Sequence, residues 1–153
     1  MNETEALIHA RRLLARHGLH DWQVRTDHAR SRCGSCHFAQ REITLSTHFI
    51  RLNETPEIEA TILHEIAHAL AGPNAGHGPH WQKIAAHIGA PVDATNATAA
   101  MPQPAWALRC DQCRQIVARR HRRTLALDRV RCRDCGVVDG TVQWIKAPGP
   151  SAS

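Results

Sequence analysis

One short segment constrains the fold of this chain more than any other: residues 64–68 read His-Glu-Ile-Ala-His. Two histidines four residues apart on a helix lie about 40° apart around the axis and about 6 Å apart along it, so both imidazoles can reach one metal ion. Glu65 directly follows the first histidine and can hold and deprotonate a metal-bound water without binding the metal. The segment therefore predicts a helix with two zinc ligands, His64 and His68, and a general base, Glu65.

The residues on either side of this segment support a helix. Thr55 is a good N-cap, Pro56 is a good first helical residue, and Gly72-Pro73 predicts the end. Apolar residues at helical spacing mark the side that we expect to be buried. They are Ile58, Ile62, Ile66, Ala69 and Leu70.

A third histidine follows a predicted turn. Residues 72–76 contain Gly, Pro and Asn, and such a turn can bring His77 back over the preceding helix. Pro79 then opens a further helix that we expect to run to Gly89. Three protein ligands leave a fourth zinc position for water, which is typical of a catalytic site. The alternative is a histidine-rich helix that caps the core without a metal.

The N-terminal part of the chain predicts one helix and a small sheet. Asn2 and Glu5 have the spacing of a capping box, and apolar residues recur at helical spacing over residues 3–17. Residues 22–25 and 42–45 alternate apolar and polar side chains, which favours two strands.

A turn-like region, residues 31–35, lies between these strands and contains the first of two further cysteines, Cys33 and Cys36. With His28 they could form half of a metal knuckle, or they could be a redox pair. No second CxxC pair remains to complete a knuckle, so we expect two half-buried thiols at a hairpin. We likewise expect His87 to be a surface residue.

The C-terminal part contains two CxxC pairs separated by eighteen residues. This spacing predicts a zinc ribbon, in which four thiolates close the site and the metal is structural. Residues 116–117 and 125–127 are the candidate strands between the pairs. The four predicted ligands are Cys110, Cys113, Cys132 and Cys135.

The positive charge is concentrated in this C-terminal part. Residues 1–104 carry nine Lys/Arg and ten Asp/Glu, a net charge of −1, whereas residues 105–153 carry ten against four, a net charge of +6. A run of arginines could follow a nucleic-acid backbone, with Trp106 or Trp144 available to stack on bases. The alternative is a solvated hairpin loop. The arginines are Arg119, Arg120, Arg122 and Arg123.

Length and composition place the chain among soluble proteins. An acidic N-terminus is unlike a signal peptide, no apolar run is long enough to cross a bilayer, and CxxC pairs in such a chain favour metal thiolates over disulfides. We expect a cytoplasmic protein with no membrane partner. The predicted parts are a catalytic domain over 1–92, a proline-containing linker over 93–105, a ribbon over 106–147 and a flexible tail over 148–153.

The open zinc position favours peptide hydrolysis. Zinc lowers the pKa of its water to about 7, and Glu65 takes the proton as the hydroxide attacks a carbonyl polarised by the same ion. The chain contains no tyrosine that could stabilise the oxyanion. The remaining candidates are His80, an arginine and backbone N–H groups; a surface role is an alternative for His80.

These motifs together resemble the SprT-like metalloproteases, the family that includes Spartan. The likeness rests on HEIAH, the His-Gly-Pro segment from His77, the preceding helix and strands, and the four-cysteine ribbon, and it covers about residues 3–145. It implies metal ligands at His64, His68 and His77, which favours His77 over His80, and a catalytic Glu65. It also implies cleavage of proteins trapped on DNA, with DNA as an activating partner.

We therefore predict an α+β fold, in which a zincin-like SprT domain with an N-terminal helix, a small sheet, the HExxH helix and a further helix precedes a zinc ribbon. The predicted function is a DNA-associated zinc metallopeptidase with one catalytic and one structural Zn²⁺. Two alternatives are a transcription-related nucleic-acid-binding protein whose HExxH site is not proteolytic, and a peptidase specific for one regulatory protein.

Overall fold

The computed structural model describes residues 1–93, 99–127, 130–136 and 142–148. The chain divides into two compact units, Met1–Pro102 and Gln103–Ser153, and each contains a three-stranded sheet. The fold is mixed α/β, and the helices of the described residues lie in the first unit. No helix in the described part of the chain combines the length and apolarity needed to cross a membrane.

The first unit contains four helices and three strands among its described residues. In chain order they are α1 (Glu3–Arg16), β1 (Gln23–Asp27), β2 (Gly34–His37), β3 (Glu42–Ser46), α2 (Thr47–Leu52), α3 (Thr55–Ala71) and α4 (Pro79–Ile88).

Helix α1 begins with the predicted capping box. The Asn2 side chain accepts a hydrogen bond from the Glu5 backbone N–H at 2.9 Å, and the Asn2 N–H donates to the Glu5 carboxylate at 2.8 Å. These bonds satisfy two backbone groups that a helix start leaves free. The helix buries one apolar side, formed by Ala6, Ala10, Leu13 and Leu14.

The sheet of the first unit has the strand order β1-β3-β2. Strand β3 pairs in parallel with β1 and antiparallel with β2. Because β3 is central, residues 43–46 are all buried, including the polar Ser46. Strand β2 begins inside residues 31–35, which were predicted as a turn, so that prediction is wrong for the end of the region.

Helix α3 carries the HExxH segment and packs its apolar side into the core of the first unit. Ile58, Ile62 and Ile66 are fully buried. The helix ends at Ala71, next to the predicted stop. Leu70 was predicted to be buried, but it is 37% exposed in the last turn.

Part of the predicted linker is attached to the first unit. Asn53 bonds both backbone groups of Ala100, accepting from its N–H at 2.7 Å and donating to its carbonyl at 2.8 Å. Ala99 and Met101 pack against the core. The boundary between the compact units falls after Pro102, within the predicted linker.

The second unit is built on β4 (Trp106–Cys110), β5 (Ile116–Arg120) and β6 (Val142–Lys146), in the order β5-β4-β6. Both pairings are antiparallel. Residues 116–117 were correctly predicted as strand. Residues 125–127 were predicted as a strand but do not form one; the third strand of this sheet comes from residues 142–146.

Candidate metal centres

Three histidine side chains converge at the C-terminal half of α3. His64 and His68 lie one helical turn apart, and their Nε2 atoms are 3.2 Å from each other. The Nε2 atom of His77 is 3.1 Å from each of them. The structure thus brings together the three residues predicted as ligands.

A glycine turn returns His77 to the helix. Gly72 and Gly76 have φ values of +87° and +50°, which glycine adopts without the steric cost of a side chain. The Gly72 carbonyl accepts from Ala75 N–H at 3.3 Å, and the Ala75 carbonyl accepts from Gly78 N–H at 3.0 Å. This tight turn explains how a residue nine positions after His68 meets it again.

Trp81 of α4 forms the wall behind the three histidines. Its side chain is fully buried. The ring centroids of His64, His68 and His77 lie 4.8, 5.2 and 4.7 Å from that of Trp81. No role was assigned to this residue from the sequence. The signal that could have suggested one is its position in the first turn of α4, four residues after His77.

The histidine arrangement fits a metal ion. Tetrahedral ligands at zinc–nitrogen distances of about 2.0–2.1 Å lie about 3.3–3.4 Å apart, close to the observed separations. The three contacts between imidazole Nε2 atoms at 3.1–3.2 Å cannot all be hydrogen bonds, because each nitrogen carries either one proton or one lone pair. A shared cation resolves this conflict.

The protonation states also suit metal binding. Burial, followed by the charges of His68 and His77, lowers the pKa of His64 to about 4. Burial and the charge of His77 also lower the pKa of His68. Both rings are therefore neutral near pH 7, which is the form that binds a metal.

Glu65 carries a buried carboxyl group, and a nearby positive charge offsets the effect of burial only in part. Its residue exposure is 8%. Burial raises its pKa to about 7, and the nearby Arg32 acts in the opposite direction. The side chain lies against the backbone of β2 at Gly34.

A cavity of about 300 Å³ opens beside Glu65 and His64. Arg32 is the cation on its wall, and this guanidinium is held by Asp27 at 2.6 Å and by the Thr44 hydroxyl at 3.3 Å. His80 does not line this cavity. The remaining lining residues are Ser31, Cys33, Gly34, Ala60, Thr61, Pro91 and Asp93.

Cys33 and Cys36 are half-buried, as predicted, and no metal-binding group in the described part of the chain includes them. Cys36 lies within β2, and the Cys33 thiol is 3.7 Å from the Met101 sulfur. Burial raises the pKa of Cys36 to about 12. His28, which the metal-knuckle alternative would have placed with these thiols, forms a hydrogen bond with the Thr47 hydroxyl at 3.1 Å.

A second candidate metal centre lies in the second unit. The Sγ atoms of Cys110 and Cys135 are 3.7 Å apart, and those of Cys113 and Cys132 are 3.5 Å apart. All four Sγ atoms lie within 4.8 Å of one another. Tetrahedral zinc–sulfur bonds of about 2.3 Å place sulfurs about 3.8 Å apart, so the four thiols fit one ion. The cluster is compatible with a zinc ribbon.

The predicted nucleic-acid-binding arginines lie at the end of β5 and directly beyond it. Arg119 donates to the Pro148 carbonyl at 3.1 Å, and Arg120 donates to the Arg119 carbonyl at 2.8 Å. Arg122 is exposed, and Arg123 contacts the ring of Trp106.

Comparisons with known proteins place the histidine site within a described family. The model of the SprT-like family matches residues 5–101. Protein SprT of Proteus mirabilis (strain HI4320) is 30% identical over 117 residues, covering 69% of this chain and 68% of that protein. No solved structure matches the chain.

Proposed function

The chain belongs to the SprT-like family, and we propose that it is a zinc metallopeptidase that cleaves proteins bound or crosslinked to DNA. One observation carries the proposal: three histidine Nε2 atoms converge within 3.2 Å beside a buried carboxyl group on the wall of a cavity. This combination supports hydrolysis at the histidine site.

We propose zinc at both centres, with a catalytic ion on the three histidines and a structural ion on the four cysteines. Three imidazole ligands leave a coordination position open, whereas four thiolates do not. A zinc ion held by the histidines supplies Lewis acidity toward water and toward the carbonyl group of a peptide.

In this proposal Glu65 moves the protons. Its carboxylate accepts a proton from the attacking water and gives it to the leaving amine. Burial raises the pKa of Glu65 to about 7 in the metal-free chain, and a zinc ion beside it would lower that pKa, which favours the carboxylate form that accepts the proton. Its burial beside Gly34 limits the positions available to the carboxylate.

The cavity beside Glu65 receives the substrate in this proposal. Its wall carries the guanidinium of Arg32, which supplies positive charge close to the carboxylate. We therefore favour Arg32 over His80 as the side chain that assists the reaction, since His80 does not line this cavity. A helix with the metal site beside a three-stranded mixed sheet supports a zincin-like fold for the first unit.

The second unit supports an association with DNA. Residues 105–153 carry a net charge of +6, and the exposed arginines lie at the end of β5 and directly beyond it. Such a surface binds polyanions through release of counterions. We propose that it brings the catalytic unit to proteins on DNA, in a reducing compartment such as the cytoplasm, where thiols stay available for the metal.

The proposal is tested by metal analysis combined with a cleavage assay. We expect two zinc ions per chain, falling to one in His77→Ala and to one in Cys110→Ser. We also expect the zinc-loaded protein to cleave a DNA-crosslinked protein faster than the same protein without DNA. DNA binding with two zinc ions and no cleavage of any protein would instead favour a nucleic-acid-binding protein.

A further inference from the structure

The sheet of the second unit has two chemically different ends. Cys110, a candidate metal ligand, lies at the C-terminal end of the central strand β4, and Trp106 lies at its N-terminal end. The antiparallel register places Arg120 of β5 and Lys146 of β6 opposite Trp106. Lys146 thereby joins the arginines at and beyond the end of β5, although it lies 23 positions after Arg123 in the sequence.

The end of the sheet around Trp106 carries five exposed cations. Arg119 and Arg120 donate to backbone carbonyl groups and keep their full charge. Among the described residues, none of the five forms an ion pair with a carboxylate. Like charges gathered without a paired carboxylate in the described part of the chain repel one another, so this end of the sheet favours a polyanionic partner. The five are Arg119, Arg120, Arg122, Arg123 and Lys146.

Two of these cations contact one indole ring. The Arg123 guanidinium carbon is 4.4 Å from the Trp106 ring centroid, and the Lys146 ammonium nitrogen is 4.2 Å from it. Both distances fall within the range of cation–π attraction, which holds the cations in place despite their mutual repulsion. A base could use the occupied ring surface only by displacing a cation.

We propose that Trp106, Arg123 and Lys146 form a phosphate clamp, in which the indole orients two cations toward the nucleic-acid backbone and does not stack on bases. The inference rests on the DNA association proposed above and specifies how it is made. A duplex carries one charge per about 1.7 Å of axis, which suits several cations gathered at one end of a sheet. The clamp therefore binds without regard to base sequence, and to single strands as well as to duplexes.

The test measures binding of the zinc-loaded full chain to a labelled duplex, a labelled single strand and, by competition, inorganic polyphosphate, each at several salt concentrations. Arg123→Gln and Lys146→Gln should each reduce the slope of log affinity against log salt by about 1 on both nucleic acids. Trp106→Leu should weaken binding to the duplex and the single strand equally. Arg133→Gln, an exposed arginine between Cys132 and Cys135, is the matched control and should leave the slope unchanged.

Competition by polyphosphate, which has no bases, is expected. Failure of polyphosphate to compete, together with a loss confined to single strands in Trp106→Leu, would overturn the clamp in favour of base stacking. Stronger competition by poly-glutamate than by polyphosphate would overturn it in favour of an acidic protein partner.

Zinc content of two per chain in each variant verifies folding. A wild-type chain that binds no DNA contradicts the proposed DNA association itself, whereas DNA binding unaffected by Arg123→Gln and Lys146→Gln contradicts only the clamp.

Discussion

Gly34 of β2 lies directly against the side chain of Glu65. A Cβ atom added at Gly34 would be 3.0 Å from Glu65 Cγ and 3.1 Å from Glu65 Oε1. The same atom would be 3.1 Å from the backbone carbonyl oxygen of Thr44, which cannot move aside as a side chain can. Strand β2 and helix α3 are thus in contact at the carboxyl group that we propose moves protons.

Gly34→Ala should therefore displace the Glu65 carboxylate while leaving the histidines in place. Because small misplacements of a catalytic group cost up to about 100-fold in rate, we expect cleavage to slow by about 10- to 100-fold with zinc content unchanged. The measurement is kcat on a DNA-crosslinked protein alongside metal analysis. Ser35→Ala on the same strand is the control, and full activity in Gly34→Ala would refute the positioning role.

Ionisation of Glu65 should destabilise the metal-free protein. The carboxyl group has a pKa of about 7 in the folded chain against a usual 4.5, so the unfolded state releases its proton first as the pH rises. The free energy of unfolding is therefore highest below about pH 4.5 and falls as the pH rises to about 7, by about 3 kcal/mol in total. Urea unfolding at pH 5 and pH 8 measures it.

Glu65→Gln isolates this contribution, because it keeps the shape of the side chain and removes the titration. The variant should lose less stability than wild type between pH 5 and pH 8. Equal losses in the two proteins would show that Glu65 is already ionised at pH 5 when no metal is bound.

The thiol of Cys36 should be unreactive. Burial, followed by the negative charge of Glu65, raises its pKa to about 12, so only about one molecule in 10⁴ carries the thiolate at pH 8. We expect alkylation by iodoacetamide at pH 8 to be slow in the zinc-loaded protein and fast after denaturation. Mass spectrometry of the peptide containing Cys36 gives the rate, and rapid labelling of the folded protein would contradict the described burial.

Trp81 should support both stability and the histidine site. Its fully buried ring contacts all three histidine rings, so Trp81→Ala should lower the free energy of unfolding by about 3–5 kcal/mol and weaken zinc binding there. Trp81→Phe keeps an aromatic wall and removes a buried indole N–H that has no partner among the described residues. It should retain most of the affinity for zinc, measured by chelator competition.

Local features of the chain could be predicted from the sequence because their causes are local. The capping box of α1 and the four-residue spacing of His64 and His68 involve neighbours within one turn, and the structure matches both. Helical periodicity does not tell how far the packing partner extends, which is why Leu70 was wrongly predicted to be buried.

Features that depend on distant pairing could not be predicted. Strand β2 has no clear alternation, and it forms because β3 offers it an edge. Strand β6 pairs with β4 across more than thirty residues, and this pairing brings Lys146 to Trp106. The contact of Gly34 with Glu65 depends in the same way on a strand meeting a helix.

The central claim is that the histidine site hydrolyses peptide bonds with Glu65 as its base. Its most direct test is the cleavage rate of a DNA-crosslinked protein by wild type and by Glu65→Gln, prepared with equal zinc content. We predict cleavage by wild type and a loss of at least about 100-fold in Glu65→Gln, in line with the contribution of a general base. Equal rates in the two proteins, or no cleavage by either, would contradict it.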